Sequence, residues 1–218
     1  MTDTSLDLAS LLCSRLCHDL LSPVGALANG LELLADEQNP EMRQHCFELL
    51  EQSARISADK LRFFRLAFGA AGGFGEQIPV EEARELVEAL AANNGRIAIS
   101  WSLGAGVLPK AAIKVLLNLA LIAIEALVRG GTLEIGVEQR NSDIGGPVSE
   151  IAVRATGAKI AFDAQIGDAL DGTLAEWDIS SRTAPAWMIG QLAAGQGGGV
   201  QYALSDAALV LGAILPGG

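Results

Sequence analysis

Between Ser5 and Asp36 apolar residues recur at helical spacing, and this repeat constrains the fold of the chain more than any other feature. Cys13, Leu16, Leu20, Leu27, Leu31 and Leu34 stand at separations of three, four or seven, which predicts one long amphipathic helix. At 1.5 Å per residue it is roughly 45 Å long, too long to be stable without a partner alongside. The partner follows at once. Glu37-Gln38-Asn39-Pro40 reads as a short turn, with Asn39 as a helix cap and Pro40 at the first helical position. A second helix is predicted from about Pro40 to Phe68. Its inner face is Cys46, Leu50, Ser53, Ile56, Leu61 and Phe64, widened near the end by Phe63, Leu66 and Phe68. Two such helices form an antiparallel hairpin. Each buries only one stripe, so a second copy completing a four-helix bundle, a homodimer, is expected.

Gly69-Ala70-Ala71-Gly72-Gly73-Phe74-Gly75 ends the second helix and marks a boundary between residues 1–70 and 71–218. Beyond it the periods shorten. Helices are predicted at Val80 to Ala92, from Pro109 to Val128, over parts of Ala164 to Ala175, and at Ala184 to Ala194. Strands are predicted at Arg96 to Leu103, Thr132 to Gln139, Val148 to Thr156, Lys159 to Phe162, Gly198 to Leu204 and Ala207 to Leu215. The whole is an α+β protein, a long helical hairpin followed by helices layered on a mixed sheet.

His18 is one of only two histidines in the 218 residues. On the first helix it lies about 200° from both Leu16 and Leu20, away from the seam. Ser14, Arg15, Ser22, Gly25 and Asn29 share its stripe, and their mostly small side chains leave room for another molecule. Gly25 is a poor helix former, and its place mid-helix asks for a reason such as close approach. Pro23 lacks an N–H and crowds the carbonyl of Asp19, which should bend the helix one turn past His18. This pattern suits a nucleophile site; a surface histidine on a coiled-coil face is the plainer alternative. His45, on the second helix without an adjacent carboxylate or downstream proline, reads as a solvated histidine.

His18-Asp19-Leu20 followed by Pro23 resembles the phosphoacceptor box of sensor histidine kinases, carried on the first helix of a dimerising hairpin. The longer string Arg15-Leu16-Cys17-His18-Asp19-Leu20-Leu21-Ser22-Pro23-Val24-Gly25-Ala26 is closer still to the ChpT-type histidine phosphotransferases of alphaproteobacteria. The resemblance implies that residues 71–218 form a sandwich like the ATP-binding domain of histidine kinases. Leu116-Leu117-Asn118-Leu119-Ala120-Leu121-Ile122-Ala123 resembles its asparagine box, but Ile122 replaces the asparagine that holds Mg²⁺, and an alkyl chain cannot ligate a hard cation. Val153-Arg154-Ala155-Thr156-Gly157-Ala158-Lys159-Ile160 resembles a glycine box in which Ala155 replaces the adenine-reading aspartate and Lys159 the second glycine. Ala184-Pro185-Ala186-Trp187 stands where a Gly-x-Gly loop should meet the phosphates, and Pro185 and Trp187 remove a donor and fill space. Metal, base and phosphate contacts are all altered, so no ATP binding is expected. Gly195-Gln196-Gly197-Gly198-Gly199 follows a helix and precedes a strand, the reverse of a phosphate loop, and reads as a turn.

What the resemblance implies is a phosphorelay. The receiver aspartate of a hybrid kinase donates a phosphoryl group to His18, which passes it to response regulators, with Mg²⁺ supplied by the receiver and no cofactor on this chain. Asp19 would orient or deprotonate His18, or else be a solvated helix charge. Arg15 and Ser22 are weaker candidates for touching the phosphoryl group or receiver, with a surface ion pair the alternative for Arg15. Leu21, Val24, Gly25 and Ala28 lie on or beside the docking path, although Leu21 could pack within the dimer. The rival from another class is a pseudokinase regulator that binds a kinase or receiver without carrying phosphate; a kinase with unorthodox ATP contacts is a third reading.

Composition narrows the field. Half of the residues are hydrophobic, enough for a core, and the mean hydropathy is +0.34. The most apolar run, Ala111 to Val128, holds Lys114, Asn118 and Glu125, so it reads as a buried helix and not a membrane span. A net charge of −11 disfavours nucleic acid and anionic membranes as partners. No signal peptide is visible, and Cys13, Cys17 and Cys46 read as reduced core thiols, not metal ligands, which suits the cytoplasm. Trp101, Trp177 and Trp187 are expected in the core or at a partner interface.

Overall fold

The computed structural model describes residues 4–69, 75–93, 96–141 and 146–216. Helix α1 (Thr4–Asp36) and helix α2 (Pro40–Ala67) form the expected antiparallel hairpin. The turn is closed from both sides. The Asn39 side-chain oxygen accepts from the N–H groups of Glu41 (2.9 Å) and Met42 (3.4 Å), satisfying donors that the first turn of α2 leaves open. The Arg43 guanidinium donates to the carbonyls of Leu34 (3.2 Å) and Glu37 (2.9 Å), doing the same for the end of α1. Further up, a Cβ on Gly30 would lie 2.9 Å from Leu50, so glycine lets the two helices approach there. The hairpin also keeps a second apolar surface outside: Leu21, Leu31, Leu33, Phe47, Leu49 and Leu61 are exposed. Leu31 and Leu61 therefore leave the seam in which their spacing placed them.

Beyond the hairpin come helix α3 (Val80–Ala92), helix α4 (Lys110–Ala126), helix α5 (Ala164–Leu170) and helix α6 (Ala184–Gly195), with a 3₁₀ turn at Glu176–Asp178. In chain order the strands are β1 (Gln77–Pro79), β2 (Ile97–Leu103), β3 (Val107–Pro109), β4 (Gly131–Asn141), β5 (Pro147–Thr156), β6 (Gly199–Leu204) and β7 (Ala208–Pro216). Five make one mixed sheet in the order β2-β4-β5-β7-β6, parallel only between β2 and β4. The short strands β1 and β3 pair separately. Alternation sets the faces: Leu133, Ile135 and Val137 of β4 and Ile151, Val153 and Ala155 of β5 point inward, while Glu134, Glu138 and Arg154 point outward. Helix α4 lies against the inner face and is buried nearly all round, with Glu125 the exposed exception. Gly130, at φ +81°, turns the chain from α4 into β4 where a Cβ would strike the Arg96 carbonyl at 2.4 Å.

The core does not stop at the hairpin. Phe63, Phe64, Leu66 and Ala67 from the last turns of α2 belong to the same buried cluster as α3, α4 and the sheet. This explains why the apolar face of α2 widens at its end. One expectation fails. Residues 159–162 form no strand, because β5 already has β4 and β7 on its two edges; instead Ile160 and Phe162 pack on the core from a loop. Helix α1 is continuous through Pro23. The glycine-rich boundary lies mostly outside the described residues, as do residues 142–145 of the hairpin turn between β4 and β5.

Candidate functional site

The His18 side chain is 82% exposed on α1, and its Nδ1 lies 3.2 Å from Oδ1 of Asp19. With Nδ1 engaged, Nε2 is the nitrogen available to a visiting molecule. Asp19 is only 17% exposed, so it is no solvated helix charge. Its Oδ2 accepts from Nε of Arg15 at 2.8 Å, one helical turn earlier, and Nη2 of Arg15 donates in turn to Glu125 of α4. Four side chains thus run in sequence from the exposed imidazole into the second half of the chain: His18, Asp19, Arg15, Glu125.

Pro23 acts here through the donor it lacks. The carbonyl of Asp19 would ordinarily accept from the N–H of residue 23, which proline does not have. Nζ of Lys60, on α2, donates to that carbonyl at 2.8 Å. Pro23 thereby frees a backbone acceptor beside His18, and a cation from the opposite helix fills it. Asp19, Lys60 and Glu125 also line an open pocket of about 220 Å³, together with Phe64, Leu90, Leu121 and Ile124.

Electrostatics follow the same path. Burial works against the Arg15 charge, but Glu125 and Asp19 outweigh it and hold its pKa above the ordinary arginine value. Burial pushes the Glu125 carboxyl up, with a smaller push from Asp19, and Arg15 offsets only part of this.

Arg15 requires a correction. Its position on a helical wheel puts it on the stripe of His18, yet it is buried, turned toward Asp19 and Glu125. It is therefore not placed to touch a partner's surface. Leu21, Ser22, Val24 and Ala28 are exposed beside His18, and Gly25 is half-buried with no atom within 4 Å of where a Cβ would sit. The close approach expected at Gly25 is not made within this chain; the face is simply open. Cys13 and Cys17 are exposed and Cys46 is buried, so only Cys46 is a core thiol in the single chain. His45 is exposed on α2. Among the described residues, no three His, Cys, Asp or Glu side chains are grouped as metal ligands.

The face resembling a nucleotide site is built differently. Ile122 and Ala155 are buried in the core, Ala155 between Leu133 and Leu209 of the neighbouring strands. Asn118 is fully buried, and its amide nitrogen donates to the carbonyls of Ala67 (3.3 Å) and Lys114 (2.8 Å), tying α4 to the end of α2. Pro185 is buried, Trp187 half-buried against the core, and Lys159 exposed in the loop after β5. Residues 195–199 end α6 and enter β6 through Gly197 at φ +75°, a turn as expected. Trp101 packs on the core, while Trp177 is 87% exposed and fills none of it.

Sequence reasoning passed over Glu125 and Lys60. The single acid of α4, at the end of its apolar stretch, was the signal for the first; for the second, nothing in the local sequence pairs a lysine with a proline on another helix.

The site is thus an exposed histidine oriented by its neighbouring carboxylate, on a helical hairpin joined to an α/β sandwich. The chain belongs to the histidine phosphotransferase family: residues 80–208 match the family model for the histidine phosphotransferase C-terminal domain. It is 41% identical over 143 residues to the protein phosphotransferase ChpT of Brucella abortus (strain 2308), a match spanning 66% of each chain. It also superposes on the solved structure of a bacterial phosphotransferase with a TM-score of 0.81, at 31% identity and over 98% of both chains.

Proposed function

We propose that this protein is a phosphorelay intermediate in two-component signalling. His18 takes a phosphoryl group from the receiver aspartate of a hybrid kinase and passes it to the aspartate of a response regulator. The observation that carries this reading is the outward-facing imidazole of His18 with Nδ1 held by Asp19. In the forward step the Nε2 lone pair attacks phosphorus, and the bond from phosphorus to the aspartate oxygen breaks with its electron pair staying on the receiver carboxylate. The ring's gained positive charge is shared with Nδ1–H, whose proton stays hydrogen-bonded to Asp19. Such transfer needs in-line positioning and charge neutralisation more than covalent help, and the receiver's Mg²⁺ supplies much of the latter. Transfer back to a regulator reverses the same events.

The receiver docks on the exposed side of α1, against Leu21, Ser22, Val24, Gly25 and Ala28. A homodimer joined as a four-helix bundle accounts for the outer apolar residues Leu31, Leu33 and Leu49. Light scattering on the purified protein should give twice the chain mass. The chain works without ATP. Ile122, Ala155 and Trp187 support this, since none offers the metal ligand, base acceptor or phosphate donor that a nucleotide needs.

Radiolabelled phosphate tests the scheme in three parallel reactions: the protein with labelled ATP, with a phosphorylated receiver domain, and the latter with His18→Ala. Label is expected only in the second. Label from ATP alone would overturn the loss of nucleotide chemistry. No label across several receivers would favour a regulator that binds such domains without carrying phosphate.

A further inference from the structure

Glu125 has no place in the core that surrounds it. Helix α4 is apolar from Leu119 to Ile124 and again at Ala126, and an alkyl side chain at this position would cost less to bury than a carboxylate. Instead Glu125 leaves the helix toward α1, 40% exposed, and accepts from Nη2 of Arg15. Arg15 is itself buried, with Nε on Asp19 and Asp19 on the ring of His18.

Charge decides what this contact does. A lone guanidinium on Oδ2 of Asp19 would draw charge from the carboxylate and weaken it as the acceptor for Nδ1–H of His18. Glu125 sits on the far side of the same guanidinium and balances it. Lys60 lines the same pocket, with its ammonium committed to the backbone of Asp19 and not to its carboxylate.

We propose that Glu125 is a positioning residue for phosphoryl transfer. Acting through Arg15 and Asp19, it keeps Asp19 able to hold the Nδ1 proton while Nε2 takes the phosphoryl group. The sandwich domain thus contributes a working residue to the phosphoacceptor site of the hairpin. This inference rests on the phosphoacceptor role proposed above for His18.

The full-length protein and a phosphorylated receiver domain that labels the wild type provide the test, with transfer followed in single turnover. Glu125→Gln keeps an oxygen for Arg15 and removes only the charge. The rate at saturating receiver is expected to fall about tenfold, with the receiver concentration for half-maximal rate unchanged within about twofold. Added to Asp19→Asn, Glu125→Gln should slow transfer no further. The double replacement Arg15→Met with Glu125→Met removes the cation together with its counter-charge, and should transfer several-fold faster than Glu125→Gln alone. A contact that only clamps the two halves together predicts the opposite order, because the double replacement loses the clamp altogether.

A second measurement requires no partner. By ¹⁵N NMR the resting His18 ring should be mainly the Nδ1–H tautomer in the wild type, and should shift toward Nε2–H in Glu125→Gln. Wild-type rate and tautomer in Glu125→Gln would overturn the proposal. So would a loss confined to receiver affinity, or a full tenfold loss on top of Asp19→Asn. A wild-type protein that takes no label, or a His18→Ala variant that still does, would overturn the phosphoacceptor reading together with this one. Normal His18-dependent transfer with an indifferent Glu125→Gln would sink the role of Glu125 alone.

Discussion

The outer face of α1 and the inner face of α4 invite opposite uses, and both are rich in apolar residues. Around His18, Leu21, Ser22, Val24 and Ala28 are exposed and Gly25 has open space above it. Around Ile122, every neighbour from Leu116 to Ile124 is buried. Apolar area kept in water costs free energy unless something covers it at times, whereas the same area packed against a sheet stabilises the fold continuously. The family match covers the packed half of the chain, residues 80–208, and the exposed histidine lies outside it. The packed face serves the fold, and the chemistry proposed for this chain lies on the exposed one.

The sharpest way to break this contrast is to remove the nucleophile. His18→Ala is expected to reduce phosphoryl transfer to background while leaving the melting temperature within about 2 °C, because an 82% exposed ring contributes little to packing. A collapse in stability would mean that the open face is structural after all. Next in size is the reverse experiment, restoring an asparagine to the packed face. Ile122→Asn places an amide among Leu119, Ala123 and the sheet, and is expected to cost roughly 2–4 kcal/mol in denaturant unfolding. It should bring no thermal stabilisation by Mg²⁺-ATP. Nucleotide-dependent stabilisation of this variant would show that a single contact, and not three, separates the face from a working site.

A smaller effect is expected on the open face itself. Leu21 is 70% exposed, so Leu21→Ala removes little from the folded chain but takes contact area from a docked receiver. Calorimetry should show receiver affinity falling about five- to tenfold with unfolding unchanged. Unchanged affinity together with a weakened dimer would place Leu21 between the two copies instead.

Much of this contrast was legible in the sequence, and what was not has a common cause. Helix periods, the Asn39 cap and the alternation in β4 and β5 are local properties, and each element lies close to its predicted span. Strands β1 and β3 are three residues each, too short for any period to register. Arg15 was misplaced because a helical wheel divides a helix between one partner and water. Helix α1 has further protein neighbours, α6 and the end of α4, and Arg15 faces the latter. The pairing of Lys60 with the carbonyl freed by Pro23 likewise joins residues far apart in the chain. Contacts between residues far apart in the chain leave no period. Their trace is an unexpected polar residue, such as Glu125 in an apolar helix.

Helix α4 offers a control, because it carries two lysines, Lys110 and Lys114, near its other end. Burial, and then the neighbouring Lys110, hold the pKa of Lys114 below the ordinary lysine range. A lysine depressed on folding favours the native state only when it is neutral. Its contribution is present above the unfolded value of about 10.4 and is lost as pH falls through the folded value, so at pH 7 its charge opposes folding. Lys114→Met should therefore raise the melting temperature at pH 7 by roughly 1–3 °C, a gain that shrinks above pH 10. Only the backbone carbonyl of Lys114 is engaged by Asn118, and the replacement keeps it. Phosphoryl transfer should be untouched, in contrast to Glu125→Gln on the same helix. If Lys114→Met slowed transfer as much, charge anywhere on α4 would matter to His18, and the specific line through Arg15 and Asp19 would lose its support.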